Sequence, residues 1–143
     1  MPDQRSLPMI IGPTENALRA LLHRLLATTP IRSYERWVAL NVIARSAGSR
    51  DDAGRVLADG LKADAASVDS ILAGLRADEL INDTDDDLRL SAAGAATFDR
   101  ARSRIGDVTA RLVHTVPPAS VEIAFEVLDE VRSNAELELA DLS

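Results

Sequence analysis

The stretch that decides the fold is residues 53–94, AGRVLADGLKADAASVDSILAGLRADELINDTDDDLRLSAAG. Its apolar residues first recur at steps of three and four, which predicts two short helices separated by a turn. Two short apolar runs on either side of an Asp-rich turn then predict a tight hairpin, and the start of a long helix follows. This order is that of a winged helix-turn-helix, whose second helix enters the major groove of DNA.

Polar residues at the segment ends predict where the helices begin. Asp64 is placed to cap a helix over 65–77, whose apolar positions are Val68, Ile71, Leu72 and Leu75. We expect Asp51 or Asp52 to cap the helix before it. Ser33 is placed to cap an earlier helix that contains the single tryptophan of the chain. The sequence therefore predicts three consecutive short helices before the hairpin.

The hairpin leads directly into the longest predicted helix of this region. Its strands are expected at 80–81 and 88–90, with a tight turn over 82–87. Ser91 is placed to cap the helix that follows. The apolar positions of that helix alternate in steps of three and four, as in a coiled-coil seam, at Phe98, Ala101, Ile105, Val108 and Leu112.

The two ends of the chain add further helices. Residues 1–12 read as a loose arm, and Thr14 is expected to cap a helix with a leucine-rich stripe. After Pro117 and Pro118, Ser120 is expected to begin a last amphipathic helix. The apolar stripes of these terminal helices are wider than the small central motif can cover.

We therefore predict one domain over 1–143 that is mainly α with a small β-hairpin. A winged helix-turn-helix occupies 31–91, and the dimerisation helices occupy 14–29 and 92–139. We expect a homodimer in which these terminal helices interleave. The alternative is a monomer in which the C-terminal helices fold back on the N-terminal helix.

The charge of the central motif conflicts with its layout. Residues 51–88 contain eleven acidic and three basic residues, a net charge of −8. The whole chain carries −7 and has a pI near 4.8. A DNA-binding surface is expected to be positive, because phosphate neutralisation supplies most of the non-specific affinity. Layout and charge therefore favour different functions.

The composition excludes several classes of protein. The chain has no cysteine and only two histidines, so disulfides, thiolate metal sites and thiol redox chemistry are excluded. It has no phosphate-binding glycine loop and no HExxH motif, and we expect neither an enzyme nor a cofactor or metal. We find no signal sequence and no apolar run that suits a membrane span, and we expect a cytoplasmic protein.

Several segments resemble the MarR family of bacterial regulators, over roughly residues 14–139. YERWVALNVIA resembles the second helix of that family, and SVDSILAGLRADELI resembles its recognition helix and exit. Leu90–Gly94 matches the Leu-Thr-x-x-Gly that closes the wing, and PPASVEIAFEVLDEV resembles the C-terminal dimerisation helix. The resemblance implies an obligate dimer that binds a pseudo-palindromic operator and is often released by a small aromatic ligand.

The sequence departs from the family at the positions that bind DNA. Glu79 stands where the family usually has glycine, so it is expected to adopt a left-handed conformation or a different helix exit. The wing is shortened to NDTDDD, without the arginine that enters the minor groove in the family. Asp69, Ser70 and Gly74 occupy recognition-helix positions that the family often fills with Arg, Lys or Gln.

The candidate DNA-binding residues follow from this layout. The side chains expected to face the groove are Ala66, Ser67, Asp69 and Ser70, and the cations expected to neutralise phosphates are Arg55, Lys62, Arg76 and Arg89. In the alternative interpretation, Ser67 and Asp69 only stabilise the first turn of the helix, and Arg76 pairs with nearby carboxylates in solvent.

Three side chains near the start of the second helix and one on the first suggest a small-molecule pocket. An aromatic floor beside a cation suits an aromatic carboxylate, and the residues concerned are His23, Tyr34, Arg36 and Trp37. The alternative makes Trp37 a core residue and His23 a helix-surface residue. The Asp83–Asp87 turn lacks the spacing of a calcium loop, so a solvated turn is favoured over a cation site.

Two hypotheses for function remain open at this point. The first is a homodimeric transcriptional regulator that binds duplex DNA through helix 65–77 and the short wing, gated by a small aromatic ligand. The second is a protein of the same fold that has lost ordinary DNA binding and binds a protein or a ligand. An acidic wing would repel DNA and attract a basic protein partner.

Overall fold

The computed structural model describes residues 6–46, 48–84 and 86–143. Within them it contains six helices and one antiparallel hairpin, which confirms the predicted mainly α class. The elements in chain order are α1 (Leu7–Ala27), α2 (Tyr34–Arg45), α3 (Arg50–Leu61), α4 (Ala65–Ala77), β1 (Ile81–Asp83), β2 (Leu88–Leu90), α5 (Ala92–Leu112) and α6 (Pro118–Asp141). None of the described helices combines the length and hydropathy that a membrane span requires.

The chain divides into two compact units, and the boundary falls inside α5. The first unit ends at Ile105 and contains the helix-turn-helix and the hairpin. The second unit, Gly106–Ser143, consists of the end of α5 and α6. No residue of α6 is buried within this chain.

The core of the first unit is built from one face of each of its elements. Six large side chains in it are almost completely buried: Leu26, Ile31, Leu40, Leu57, Leu75 and Leu88. Trp37 and Phe98 stack at the edge of this core, with ring centroids 5.0 Å apart. The apolar positions predicted for α4 lie in the core or against it, as the periodicity required.

Three of the predicted helix caps are confirmed. Ser33 accepts from the backbone N–H of Arg36, Asp64 from that of Ser67, and Ser91 from that of Gly94. These bonds satisfy N–H groups that have no partner inside the helix.

The expectation that Asp51 or Asp52 caps α3 is wrong. Ser49 is the N-cap and accepts from the backbone N–H of Asp52 at 3.3 Å. The two aspartates lie in the first turn of the helix, where the helix dipole favours a negative charge. Consequently Arg50 is the first residue of α3 rather than part of the preceding loop.

The boundaries of both terminal helices differ from the prediction. α1 already begins at Leu7 behind Ser6, so residues 7–12 are helical, while residues 1–5 of the expected arm lie outside the described part. Pro13 is accommodated inside the helix, and the hydroxyl of Thr14 donates to the carbonyl of Ile10 instead of capping. α6 begins at Pro118, two residues before Ser120, because proline suits the first helical position.

The predicted seam of α5 is used partly within the chain. Phe98 and Ala101 are buried in the core of the first unit, and Ile105 packs against that core. Leu112 is 46% exposed. The heptad spacing predicts a coiled-coil seam along the whole helix. The first half of this seam instead packs in the core of the first unit.

The hairpin is short and is attached to the segment before α3. β1 pairs with β2 in the register Ile81 to Leu90, so the first strand starts one residue later than predicted. The backbone N–H of Leu88 donates to the carbonyl of Gly48 at 3.0 Å, and Ser49 forms a bridge to Asp87. The segment just before α3 is therefore attached to the outer edge of β2.

Glu79 adopts the left-handed conformation that its position implied, with a φ of 61°. Its N–H donates to the carbonyl of Arg76, and the N–H of Leu80 donates to that of Leu75. These two bonds form a Schellman motif, which ordinarily places glycine at this position because an L side chain is strained there.

We expect Glu79→Gly to raise the free energy of unfolding by about 1 kcal/mol, because it relieves the left-handed strain. The matched control is Ala77→Gly, two residues earlier in the last helical turn, which should lower it by about 1 kcal/mol. Urea unfolding at one fixed protein concentration measures both. Destabilisation of similar size by both variants would contradict the assigned strain.

Gly94 is required by the close approach of α5 to the exit of α4. A Cβ at this position would lie 1.8 Å from the carbonyl oxygen of Leu80. The same oxygen accepts from the N–H of Ser91 at 3.0 Å, and the Ser91 hydroxyl donates to the carbonyl of Glu79 at 2.6 Å. The lack of space for a side chain therefore explains why glycine occupies the last position of the Leu-Ser-x-x-Gly segment.

We expect Gly94→Ala to destabilise the protein by about 3 kcal/mol, because a backbone clash cannot be relieved by a rotamer change. Gly106→Ala, on the same helix with no neighbouring atom within 4 Å, should be neutral or stabilise by up to about 1 kcal/mol. Thermal and urea unfolding of the two variants test this. An unchanged midpoint for Gly94→Ala would refute the close approach.

Candidate nucleic-acid interface

The outer face of α4 carries the four residues predicted to meet a DNA groove. The helix packs through Val68, Leu72 and Leu75, which are buried. This packing leaves the opposite face in solvent, and all four predicted residues are exposed there, namely Ala66, Ser67, Asp69 and Ser70. The face is small, polar and without a cation in its first two turns.

Asp64 anchors the start of this face. Its carboxylate accepts from the backbone N–H of Ser67 at 2.8 Å. This hydrogen bond, helped by a second one from the Ser67 side chain, lowers the pKa of Asp64 below its usual 3.8. The carboxylate is therefore ionised at neutral pH and adds negative charge where a phosphate would approach the helix.

Each of the four predicted cations is held by a carboxylate of the same surface. The pairs are Arg55 with Asp52 at 2.5 Å, Lys62 with Asp59 at 4.0 Å, Arg76 with Asp83 at 3.0 Å and Arg89 with Asp87 at 2.9 Å. Solvent-exposed pairs of this kind contribute little to stability. Their effect here is electrostatic, because each cation lies beside a carboxylate that reduces its attraction for a phosphate.

Arg50 is a cation of this surface that the sequence analysis missed. Its guanidinium lies 2.8 Å from the carboxylate of Asp83, which Arg76 also contacts. The expectation that Asp51 or Asp52 caps α3 places Arg50 in the preceding loop. The signal that could have found it is Ser49, which caps a helix as well as aspartate does and is followed directly by the arginine.

The wing turn is closed by its own backbone. The N–H of Thr84 donates to the carbonyl of Asp87 at 2.8 Å. Asp86 is exposed at the tip, and Asp85 lies outside the described residues. Among the described side chains, no group of three or more potential ligands is arranged to hold a metal ion.

The four residues predicted for a ligand pocket are not brought together. Tyr34 and Trp37 line a cleft of about 590 Å³ between α2 and α3, whereas His23 and Arg36 are absent from its lining. His23 is exposed on α1. The polar members of the cleft include Asn41 and Arg45.

Arg36 has a structural partner instead. It donates to Asp78 at 2.6 Å and to the carbonyl of Pro30 at 3.1 Å. The hydrogen bond from Arg36 lowers the pKa of Asp78, with a smaller contribution from Arg32. This pair joins the start of α2 to the end of α4. The sequence analysis missed Arg45, which lies two helical turns further along α2 and faces the cleft.

Comparison with known proteins supports the fold. The sequence matches no protein-family model and none of the curated proteins. The structure is similar to a MarR family protein from Bacillus stearothermophilus, with 12% identity over 91% of this chain and 93% of that one and a TM-score of 0.77. It is also similar to a MarR family protein of Mycobacterium tuberculosis solved in complex with DNA, with 17% identity, 90% and 98% coverage and a TM-score of 0.74.

A third similar structure is the reduced form of MarR from E. coli. It shares 21% identity over 90% of this chain and 95% of that one, with a TM-score of 0.72. The likeness extends over nearly the full length of each protein. The chain therefore has the winged-helix fold of the MarR family, which confirms the resemblance seen in the sequence.

Proposed function

We propose that this protein is a homodimeric transcriptional regulator that binds duplex DNA through α4 and the short wing. The observation that carries the proposal is the solvent-facing side of α4, which a helix-turn-helix presents to the major groove. Similarity to a MarR family protein that was solved with DNA supports the same assignment. No catalytic residue is assigned.

The exposed apolar side chains of α6 support a homodimer. Ile123 is 60% exposed, Phe125 72% and Leu139 65%. α1 adds exposed Met9 and Ile10. Apolar surface of this extent is unusual for a monomer, and a second copy of the chain would cover it by pairing identical helices about a two-fold axis.

A second function is favoured by one specific observation, the neutralised cations of the interface. Because Arg55, Lys62 and Arg89 each contact a carboxylate of their own and Arg76 shares Asp83 with Arg50, few charges are free to replace counterions on DNA. In this alternative the acidic surface binds a basic protein partner. DNA binding as a function of salt distinguishes the two functions.

We expect the dimer to bind a pool of random 20-base-pair duplexes at low salt, with an affinity that falls steeply as salt increases. Fluorescence anisotropy from 20 to 200 mM salt measures the slope. Changing Asp86 and Asp87 together to Arg should tighten binding about tenfold at low salt and steepen the slope by about 2, since two phosphate contacts are added.

The matched control changes Asp99 and Asp107 on α5 to Arg, which alters the net charge equally without touching α4 or the wing. Equal tightening by both double variants would mean that overall charge, not the wing, determines binding. No binding by the wild type at any salt, with light scattering showing an intact dimer, would reject the regulator and support the protein-binding alternative.

We further propose that a small aromatic carboxylate gates the regulator by binding in the α2–α3 cleft. Tyr34 and Trp37 provide aromatic surface, Val38 and Val42 add apolar lining, and Arg45 provides a cation for the carboxylate. This assignment replaces Arg36 of the sequence prediction by Arg45, because Arg36 is held by Asp78.

Trp37 is the only tryptophan of the chain, so its fluorescence monitors the cleft directly. We expect benzoate to change this fluorescence saturably and Arg45→Gln to weaken its binding about tenfold, the loss of one charge-assisted hydrogen bond. Arg36→Gln serves as the control and should leave benzoate affinity unchanged. A larger loss of benzoate affinity in Arg36→Gln than in Arg45→Gln would show that Arg36, and not Arg45, contacts the carboxylate.

A further inference from the structure

Among the carboxylates that contact the predicted cations, Asp83 differs in its burial and in having two arginine partners. Its side chain is 0% exposed although it ends β1 at the edge of the wing. Arg76 donates to Oδ2 at 3.0 Å, and Nη1 of Arg50 lies 2.8 Å from Oδ1. One carboxylate therefore links the first residue of α3, the last turn of α4 and the hairpin.

The cluster of Arg50, Arg76 and Asp83 carries an excess positive charge. The other interface cations are matched one to one by a carboxylate, as with Arg55 and Arg89. Here two guanidinium groups share one carboxylate, which leaves a charge of +1 within the contacts described. A duplex approaching this acidic surface would find its favourable electrostatic contact at this cluster.

Both arginines keep donors available for a ligand. A guanidinium has five N–H donors in a planar fork, and each arginine directs one nitrogen at Asp83. The side chain of Arg50 is 35% exposed and that of Arg76 52% exposed. Oδ1 of Asp83 accepts no well-aligned hydrogen bond from any described residue, so Arg50 is held there by charge alone.

The position of the cluster suits a phosphate of duplex DNA. In a helix-turn-helix the first helix crosses the sugar-phosphate backbone while the second lies in the groove. Arg50 begins that first helix, and Arg76 lies at the far end of the second. The wing tip has no arginine to neutralise the duplex, and this pair lies beside the hairpin through its contacts with Asp83 at the end of β1.

We infer that Asp83 is a positioning residue that holds Arg50 and Arg76 together as the phosphate-binding pair of this protein. The inference rests on the proposed DNA-binding function. Without the carboxylate the two guanidinium groups would repel each other and separate into solvent, because like charges close together are destabilising. An acidic residue would in this way increase the affinity for a polyanion.

The direction in which one substitution changes the affinity for DNA tests the inference. Removing a negative charge from a DNA-binding surface ordinarily tightens binding. We expect Asp83→Asn instead to weaken binding to the random duplex pool five- to tenfold at low salt, and to flatten the salt dependence by about 1 to 2 as phosphate contacts are lost. The matched control, Asp86→Asn on the exposed wing tip, should bind as tightly as wild type or up to twofold more tightly.

A double-substitution cycle separates positioning from a general loss of structure. In a protein that already carries Arg50→Gln and Arg76→Gln, Asp83→Asn should no longer weaken binding, because the side chains it positions are absent. The two arginine substitutions are at partly exposed positions, so they also replace Asp83→Asn as the test if that variant fails to fold. They should by themselves reproduce the flattened salt dependence.

Each outcome decides between explanations. Tighter binding by Asp83→Asn would overturn the inference while leaving the proposed DNA binding intact. Weaker binding with an unchanged salt slope would also overturn it, since a structural defect and not a lost phosphate contact would be responsible. A wild type without salt-dependent binding would reject the proposed function and this inference together.

Discussion

The fold depends on the backbone of one residue, Leu80, at the point where α4, the hairpin and α5 meet. Its N–H completes the left-handed exit of α4, and its carbonyl accepts from Ser91. The same carbonyl lies so close to α5 that only glycine fits at position 94. The backbone of Leu80 thus connects the end of α4, the start of β1 and the first turn of α5.

Around this junction the protein combines a helix-turn-helix with an acidic surface. The two are compatible only if positive charge is concentrated at particular positions of a surface whose net charge is negative. Most cations of the surface are matched by a carboxylate, so their contribution to long-range attraction is small. The exception is the buried carboxylate of Asp83, around which two arginines gather. Net charge alone does not reveal such a cluster.

The candidate site could be predicted only where it depends on local spacing. The exposure of Ser67 and Asp69 follows from the periodicity of the buried positions of α4, and it is observed. The partners of the arginines could not be predicted, because Arg36 contacts Asp78 across 42 positions of the chain and Arg50, at the start of α3, contacts Asp83 at the end of β1. For the same reason the sequence did not indicate that Arg45 lines the cleft beside Tyr34 and Trp37.

The sequence by itself determined the order of the elements, the face of α4 that is buried and three helix caps. All of these arise from interactions between residues a few positions apart, and for such residues the spacing along the chain determines the geometry. The tertiary structure alone decided which carboxylate neutralises which cation, why Gly94 cannot carry a side chain, and that the first half of the α5 seam is used in the chain's own core. These features depend on distances between elements that are remote in sequence, and only packing brings them into contact.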